Sequence, residues 1–263
     1  MSKGGVVIKS SDSTAYDTLY DNPYAHNALF RGKDITDYFD SGAMSRAIRD
    51  GNFRNIYPGD VIRKTVVIDG KEYKDVKWIV THLTYFLTEH HVVLSPLDPL
   101  FNHRMDPKAD MPVKPFMETE MWTDVIPKIN AGIIDAFGED KVLKHKEAIP
   151  NTIEDETNQL GYRYRYKWPL FTIVPVTCNL FTYPMVTGNG GTTASFVEYA
   201  GVDIQMALFR NARPYAFRAN ASFWTRTFVG GKCYTAVSGG DCGLPWMNNV
   251  TDVLGVRPYF CIH

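Results

Sequence analysis

The chain has 263 residues, 44% of them hydrophobic and 22% charged, with a formal net charge of -1 at pH 7. That is enough apolar material for a proper core but short of two full domains, and the near-neutral charge supplies no basic excess for phosphate contacts, so nucleic acid is not an expected partner. No apolar run is long enough to cross a bilayer, and the opening Met1-Ser2-Lys3-Gly4-Gly5 is no apolar leader, so membrane insertion and secretion are not expected and folding in a cytosol is.

Residues 1–30 are polar and turn-forming, with Tyr16, Tyr20 and Tyr24 scattered through them. They read as an extended N-terminal arm, which either packs on a neighbouring subunit or stays a loose terminus; Val6-Val7-Ile8 could pair as an edge strand. From Asp34 the spacing turns helical: Ile35, Tyr38 and Phe39 share one face, Met44, Ala47 and Ile48 a second short helix, and Gly51 stops it. Val61 to Leu94 reads as strands. Asp69-Gly70, set between Val66-Val67-Ile68 and Glu72-Tyr73, predicts a two-residue hairpin, and Trp78-Ile79-Val80 and Val92-Val93-Leu94 suit central strands.

Residues 95–118 hold several prolines and few periodic apolars, so they read as loop. Over 119–137 helical period returns, with Met121, Val125, Ile129, Ile133 and Phe137 on one side, Pro127 in the first turns or at a kink, and Gly138 at the end. Residues 150–168 look irregular. Asp203 is placed to cap a short helix holding Ile204, Ala207 and Leu208. Phe223 to Val229, Tyr234 to Val237 and Val256 to Ile262 read as strands. Strands around two principal helices, with long irregular insertions and no βαβ alternation, define an α+β chain with mixed or antiparallel small sheets.

Each candidate for chemistry has a plain competitor. Gly239-Gly240-Asp241-Cys242-Gly243 looks like the nucleophile turn of chymotrypsin-like viral cysteine proteases, where a tight turn exposes the sulfur beside oxyanion-hole N–H groups. Such an enzyme needs a base and an acid on distant strands, whereas His90 or His91 and Asp98 lie within a few positions of one another. A glycine-rich loop is the simpler reading of Cys242. His90, His91 and His103 resemble metal ligands in type only, because adjacent residues of a strand point to opposite faces; one buried and one exposed imidazole is expected. Trp122-Thr123-Asp124 falls short of the Trp-Asn-Asp calcium motif of animal lectins and lies on a predicted helix. Tyr162 to Trp168 alternates aromatic and cationic residues. That is either a stacking platform or, more plainly, an edge strand packing aromatics inward. Gly188-Asn189-Gly190-Gly191 is a loop without the lysine and helix of a phosphate-binding turn. No metal or cofactor site emerges. The four cysteines, Cys178, Cys233, Cys242 and Cys261, form no Cys-x-x-Cys pair and should be free and mostly buried in a reducing cytosol; Cys233 and Cys242 are the pair that release from a cell would let bridge.

Ser222-Phe223-Trp224-Thr225-Arg226, then Tyr234-Thr235-Ala236-Val237 and a glycine- and asparagine-rich stretch, then Gly255-Val256-Arg257-Pro258-Tyr259-Phe260, resemble in their order the C-type-lectin-like domains of bacterial and phage surface proteins. This is the family of the phage major tropism determinant and other targets of diversity-generating retroelements. Asn27 to Thr36, Tyr57-Pro58-Gly59-Asp60 and His90-His91-Val92-Val93 are similar to structural proteins of phages and prophages of Gram-positive bacteria. The resemblance implies a C-type-lectin-like domain over 31–263, with insertions. Trp224, Val256 and Phe260 would fill its core, Arg257 would bind backbone carbonyls, and Pro258 would fix the last strand. Ligand contacts would come from the loop surface between, where Phe228, Lys232, Tyr234, Asp241, Leu244, Trp246 and Asn248 are the exposed candidates. Phe228, Tyr234 and Trp246 would anchor them, although for Phe228 and Tyr234 core packing is an equal reading. The implied protein is not an enzyme. It sits on a virion surface, is assembled in the host bacterial cytoplasm, contacts other virion proteins and a bacterial surface receptor, and forms a homo-oligomer, by resemblance a trimer. A capsid or tail decoration protein is the alternative on the same fold.

Overall fold

The computed structural model describes residues 22–109, 114–150, 155–158, 161–164, 171–188, 205–217, 221–230, 233–237 and 245–263. Its architecture grows from one tight turn. Asp69 and Gly70 both take the left-handed backbone, at φ 51° and 74°. This geometry matches the twist of paired strands, so β1 (Val61–Ile68) folds straight back into β2 (Lys71–Leu83), pairing Ile68 with Lys71 and Ile62 with Trp78. The near half of β2 overhangs the body and is mostly exposed, whereas the far half is buried at every position.

β2 continues into a six-stranded sheet ordered β1-β2-β3-β15-β10, where β3 is Val92–Pro96, β15 is Pro258–Ile262 and β10 is Cys178–Leu180; the short β5 (Val142–Leu143) also pairs with β15. Every pairing in it is antiparallel. The two apolar runs expected at the centre lie there, and the reason they are continuous is that both faces are covered. Trp78, Val80, Leu94, Phe260 and Ile262 enter one core, while Ile79, Val93, Tyr259 and Cys261 enter another on the far side. Burying each such large side chain contributes about 1.5–3 kcal/mol.

Helices α2 (Thr36–Asp40), α3 (Ala43–Arg49) and α4 (Ile126–Phe137) cover the first face. All five positions expected on one side of the long helical segment, Met121, Val125, Ile129, Ile133 and Phe137, are buried. Pro127 lies in the first turn of α4 and offers no N–H to the turn before it. That preceding turn, Met121–Val125, is wound as a π-helix, with the Ile126 N–H reaching back to the Met121 carbonyl. Gly132 lets α4 approach β1: a Cβ there would stand 2.3 Å from the Val67 carbonyl oxygen. The second face is covered by short helices α5 (Tyr183–Thr187), α6 (Ala207–Asn211) and α7 (Arg213–Ala216).

A second sheet of five strands is ordered β13-β12-β11-β14-β4, comprising β4 (Phe101–His103), β11 (Phe223–Gly230), β12 (Cys233–Val237), β13 (Pro245–Asn249) and β14 (Leu254–Val256). Two further two-stranded antiparallel sheets pair β6 (His145–Pro150) with β9 (Phe171–Val176) and β7 (Asp155–Asn158) with β8 (Gly161–Tyr164). The chain is thus α+β, with largely antiparallel sheets. Only α4, at twelve residues, is a helix of ordinary length among the described ones, so the two principal helices expected reduce to one. No described helix is long and apolar enough to cross a membrane.

Several expectations shift. Residues 95–118 contain β4, and 150–168 contain β7 and β8, because short polar strands carry little apolar signal. The strand expected over Val256–Ile262 breaks at Arg257 into β14 of one sheet and β15 of the other. The helix expected from Asp203 starts at Ala207 with Met206 at its cap; Asp203 and Ile204 lie outside the described residues, as do Val6 to Ile8. Residues 22–30, expected as the end of an arm, pack against the body. Pro23–His26 form α1, His26 stacks on Tyr57 at 4.2 Å, and Asn27 hydrogen-bonds both backbone groups of Leu83 at 2.9 Å. The Asn27 amide stands in for a neighbouring strand there, which is why a polar segment is buried at that point.

Candidate ligand-binding surface

In the stretch expected to display ligand contacts, the described residues form strands, and Pro245–Asn249 is one that was not expected. β11, β12 and β13 form an antiparallel meander in which Phe228 lies opposite Tyr234 and Tyr234 opposite Asn248, while Trp224 lies opposite Ala236 and Ala236 opposite Trp246. The ladder therefore brings Phe228, Tyr234, Trp246 and Asn248 together on three adjacent strands. Lys232, Asp241 and Leu244 lie outside the described residues. Trp224 and Ala236 at the base of this ladder are wholly buried, and the register of β11 shifts between Trp224 and Phe228. On β13, Met247 is 71% exposed. Sequence reasoning missed Met247 because the strand itself was missed: Pro245 and the two asparagines Asn248 and Asn249 suppress its apolar alternation. β13 is the last strand of its sheet among the described residues, and its end is closed by Asp252, whose Oδ2 accepts from the Asn249 N–H at 2.9 Å.

The meander is pinned to the body at its first strand. The Trp224 indole N–H donates to the His103 carbonyl at 2.8 Å, the Arg226 N–H to the Phe181 carbonyl, and the Tyr183 N–H to Thr227 Oγ1. The strongest pin is ionic. Buried Glu147 on β6 pairs with Arg226 of β11 at 2.8 Å, and accepts from Tyr259 Oη of β15 at 2.6 Å and from Asn179 Nδ2 of β10 at 3.0 Å; His145 Nε2 lies 2.7 Å away. One carboxylate thus ties together three sheets. Burial by itself would raise the Glu147 pKa, but the Arg226 charge, the His145 contact and the Tyr259 hydroxyl outweigh it and hold it at about 2. A carboxylate so saturated is no general base near neutrality; its geometry suits a clamp.

Arg257, expected to bind carbonyls, is fully buried and donates to the Pro96 and Ala216 carbonyls at 2.9 and 2.8 Å, with Phe209 and Phe223 rings beside it. Burial lowers its pKa to about 10 against the opposing pull of Asp98, so it stays charged at neutral pH. It secures the corner where the chain passes between the sheets. Trp224, Val256 and Phe260 fill the core as expected.

His90 is exposed and His91 buried, as expected, but both lie in the turn before β3 and not on a strand. His91 is committed to the backbone: Nε2 accepts from the Phe86 N–H at 3.1 Å and Nδ1 faces the Glu89 carbonyl at 2.7 Å. Burial lowers its pKa to about 4, and that of His82 to about 3. Neither ring nitrogen of His91 is available as a base, while Cys242 and its glycine turn lie outside the described residues. Among the described residues no group of three or more acidic, histidine or cysteine side chains is placed to hold a metal. Cys178 and Cys261 are buried free thiols whose pKa values burial pushes up. In the aromatic–cationic run, Tyr162 to Tyr164 lie on β8, paired with Asp155 to Thr157; Arg165 to Trp168 lie outside the described residues.

Comparison with family models, with curated proteins and with solved structures finds no match to this chain.

Proposed function

We propose that this is a bacteriophage virion surface protein of C-type-lectin-like architecture, not an enzyme, which binds a host-envelope glycan or protein through the strands and turns between Phe228 and Asn249. The observation that carries this reading is a three-stranded meander whose first strand is anchored by Trp224, Arg226 and Thr227, while its last, outermost in the sheet among the described residues, bears exposed Met247. A surface stiffened from beneath can change its side chains without losing its backbone. Phe228, Lys232, Tyr234, Asp241, Leu244, Trp246 and Asn248 remain the contact set, and Met247 joins them. Weak single contacts gain by multiplicity, so a homo-oligomer, a trimer by the same resemblance, fits the role. Assembly takes place in the host cytoplasm and display on the virion surface.

The test is adsorption. The purified protein is expected to bind host cells or wall fragments, and Trp246→Ala and Met247→Asp each to reduce binding at least tenfold, with thermal unfolding checking that each variant is folded. Binding absent from the native protein and particles of both variants adsorbing normally would remove the reading. A second reading, decoration of a capsid or tail, draws on Tyr24, Leu29 and Phe30, which are 53%, 54% and 39% exposed within a few residues of one another. Apolar side chains so close together suit contact with another virion protein; locating the protein in the particle, at a distal tip or enclosed on all sides, separates the two.

A further inference from the structure

We propose that the chain carries a second ligand site, separate from the meander, that takes one neutral pyranose ring. It is a cleft of about 260 Å³ at the far edge of the five-stranded sheet. Three elements converge on it: Tyr73 from the overhanging start of β2, Phe101 and His103 from β4, and Asp124 and Lys128 from successive turns of the long helical segment, with Asp69 from the hairpin turn. Phe101 and His103 flank exposed Asn102, so strand alternation sets both toward the cleft.

The lining defines the ligand. Tyr73 and Phe101 are half-buried, packed against the core, with ring centroids 5.9 Å apart and planes tilted by 36°. Such rings offer an apolar platform for the C–H face of a sugar. Asp69 and Asp124 supply carboxylate oxygens, each with more acceptor sites than one partner uses, for hydroxyl groups. Charge then argues against anions and metal ions. Lys128 pairs with Asp124 at 2.8 Å and Asp69 at 3.3 Å, and Lys71 lies over the Tyr73 ring at 5.0 Å. Two cations balance two anions. No surplus positive charge awaits a phosphate, and the place a metal would take between the carboxylates is held by Lys128. The size falls just below the roughly 300–1,000 Å³ of drug-sized sites, which suits a single ring.

The site is coupled to the meander through His103, whose carbonyl accepts the Trp224 indole N–H, but none of its lining residues belongs to β11, β12 or β13. The test is titration of the full chain with methyl α-glucoside, methyl β-galactoside and N-acetylglucosamine, with inorganic phosphate as the anionic probe, followed by NMR. We expect saturable binding of at least one sugar with Kd on the order of 1 mM. Tyr73→Ala and Phe101→Ala should each weaken it roughly tenfold, Asp124→Asn a few-fold, and Met247→Asp not at all. Thermal unfolding checks that each variant is folded. The proposal is overturned if no sugar saturates the native chain by about 100 mM, if phosphate binds more tightly than every sugar, or if Tyr73→Ala leaves binding intact. Loss of sugar binding in Met247→Asp would place the site in the meander and overturn it as well. Because adsorption is read at Trp246 and Met247, either proposal can fail while the other stands.

Discussion

The two large sheets are held together by different physics. At its centre the six-stranded sheet is apolar on both faces, and Trp78, Ile79, Val80, Val93 and Leu94 there need only be hydrophobic and of suitable shape. The first strand of the meander buries Thr225, Arg226 and Thr227 in succession. A buried polar strand holds only if each group meets a partner, and here Arg226 and Thr227 find Glu147 and the Tyr183 N–H, and Thr225 is likewise partnered. The apolar sheet is insured by redundancy, whereas the meander depends on a few specific pairings made by residues tens of positions away.

That contrast is open to direct measurement. The largest effect is expected at the clamp: Glu147→Ala leaves Arg226 charged and buried, and should cost about 3–5 kcal/mol in denaturant unfolding. Phe260→Ala in the apolar sheet is expected in the same range, about 3–5 kcal/mol, through cavity formation. The two differ on conservative replacement. Phe260→Leu should recover most of the loss, whereas Glu147→Leu should not, because Arg226, Asn179 and Tyr259 stay without their acceptor. Equal rescue of both would erase the distinction.

Acid should weaken the molecule in two steps. The folded-state pKa values of His82 and His91, about 3 and about 4, lie below the ordinary 6.5, so the unfolded chain binds protons first. Stability is full above pH 6.5 and falls as pH drops toward 4, by up to about 1.4 kcal/mol per group per pH unit. Glu147, ordinarily 4.5 and held at about 2, adds a second loss between those values. Glu147→Gln should remove the second step and leave the first; an unchanged acid profile in that variant would break the clamp argument.

A smaller effect tests the helix–sheet contact. Gly→Ala within a helix ordinarily stabilises by about 1 kcal/mol, but Gly132→Ala places a methyl against the Val67 carbonyl and is expected to destabilise by about 1–3 kcal/mol. At the bottom of the scale, Met247→Asp at an exposed position of β13 should shift stability by no more than about 0.5 kcal/mol, which is what makes it a clean probe of binding.

Local and periodic features are legible in the chain alone: the Asp69-Gly70 hairpin, the two central apolar runs, and the i, i+4 stripe from Met121 to Phe137. Each follows from backbone preference or side-chain period acting over a few residues. The sequence also showed, by resemblance, that Arg257 would bind carbonyls. Packing in three dimensions settles four further features: β14 and β15 belong to different sheets, Pro245–Asn249 is the outermost strand of its sheet among the described residues, Asn27 completes the end of β2, and Glu147 clamps three sheets. The reason is common to all four. Such features are polar pairings between distant segments, satisfied by direction and distance, and neither quantity leaves a period in the chain. Tyr73, Phe101 and Asp124 are equally unremarkable in sequence, and only the crossing of β2, β4 and the long helical segment makes them a site.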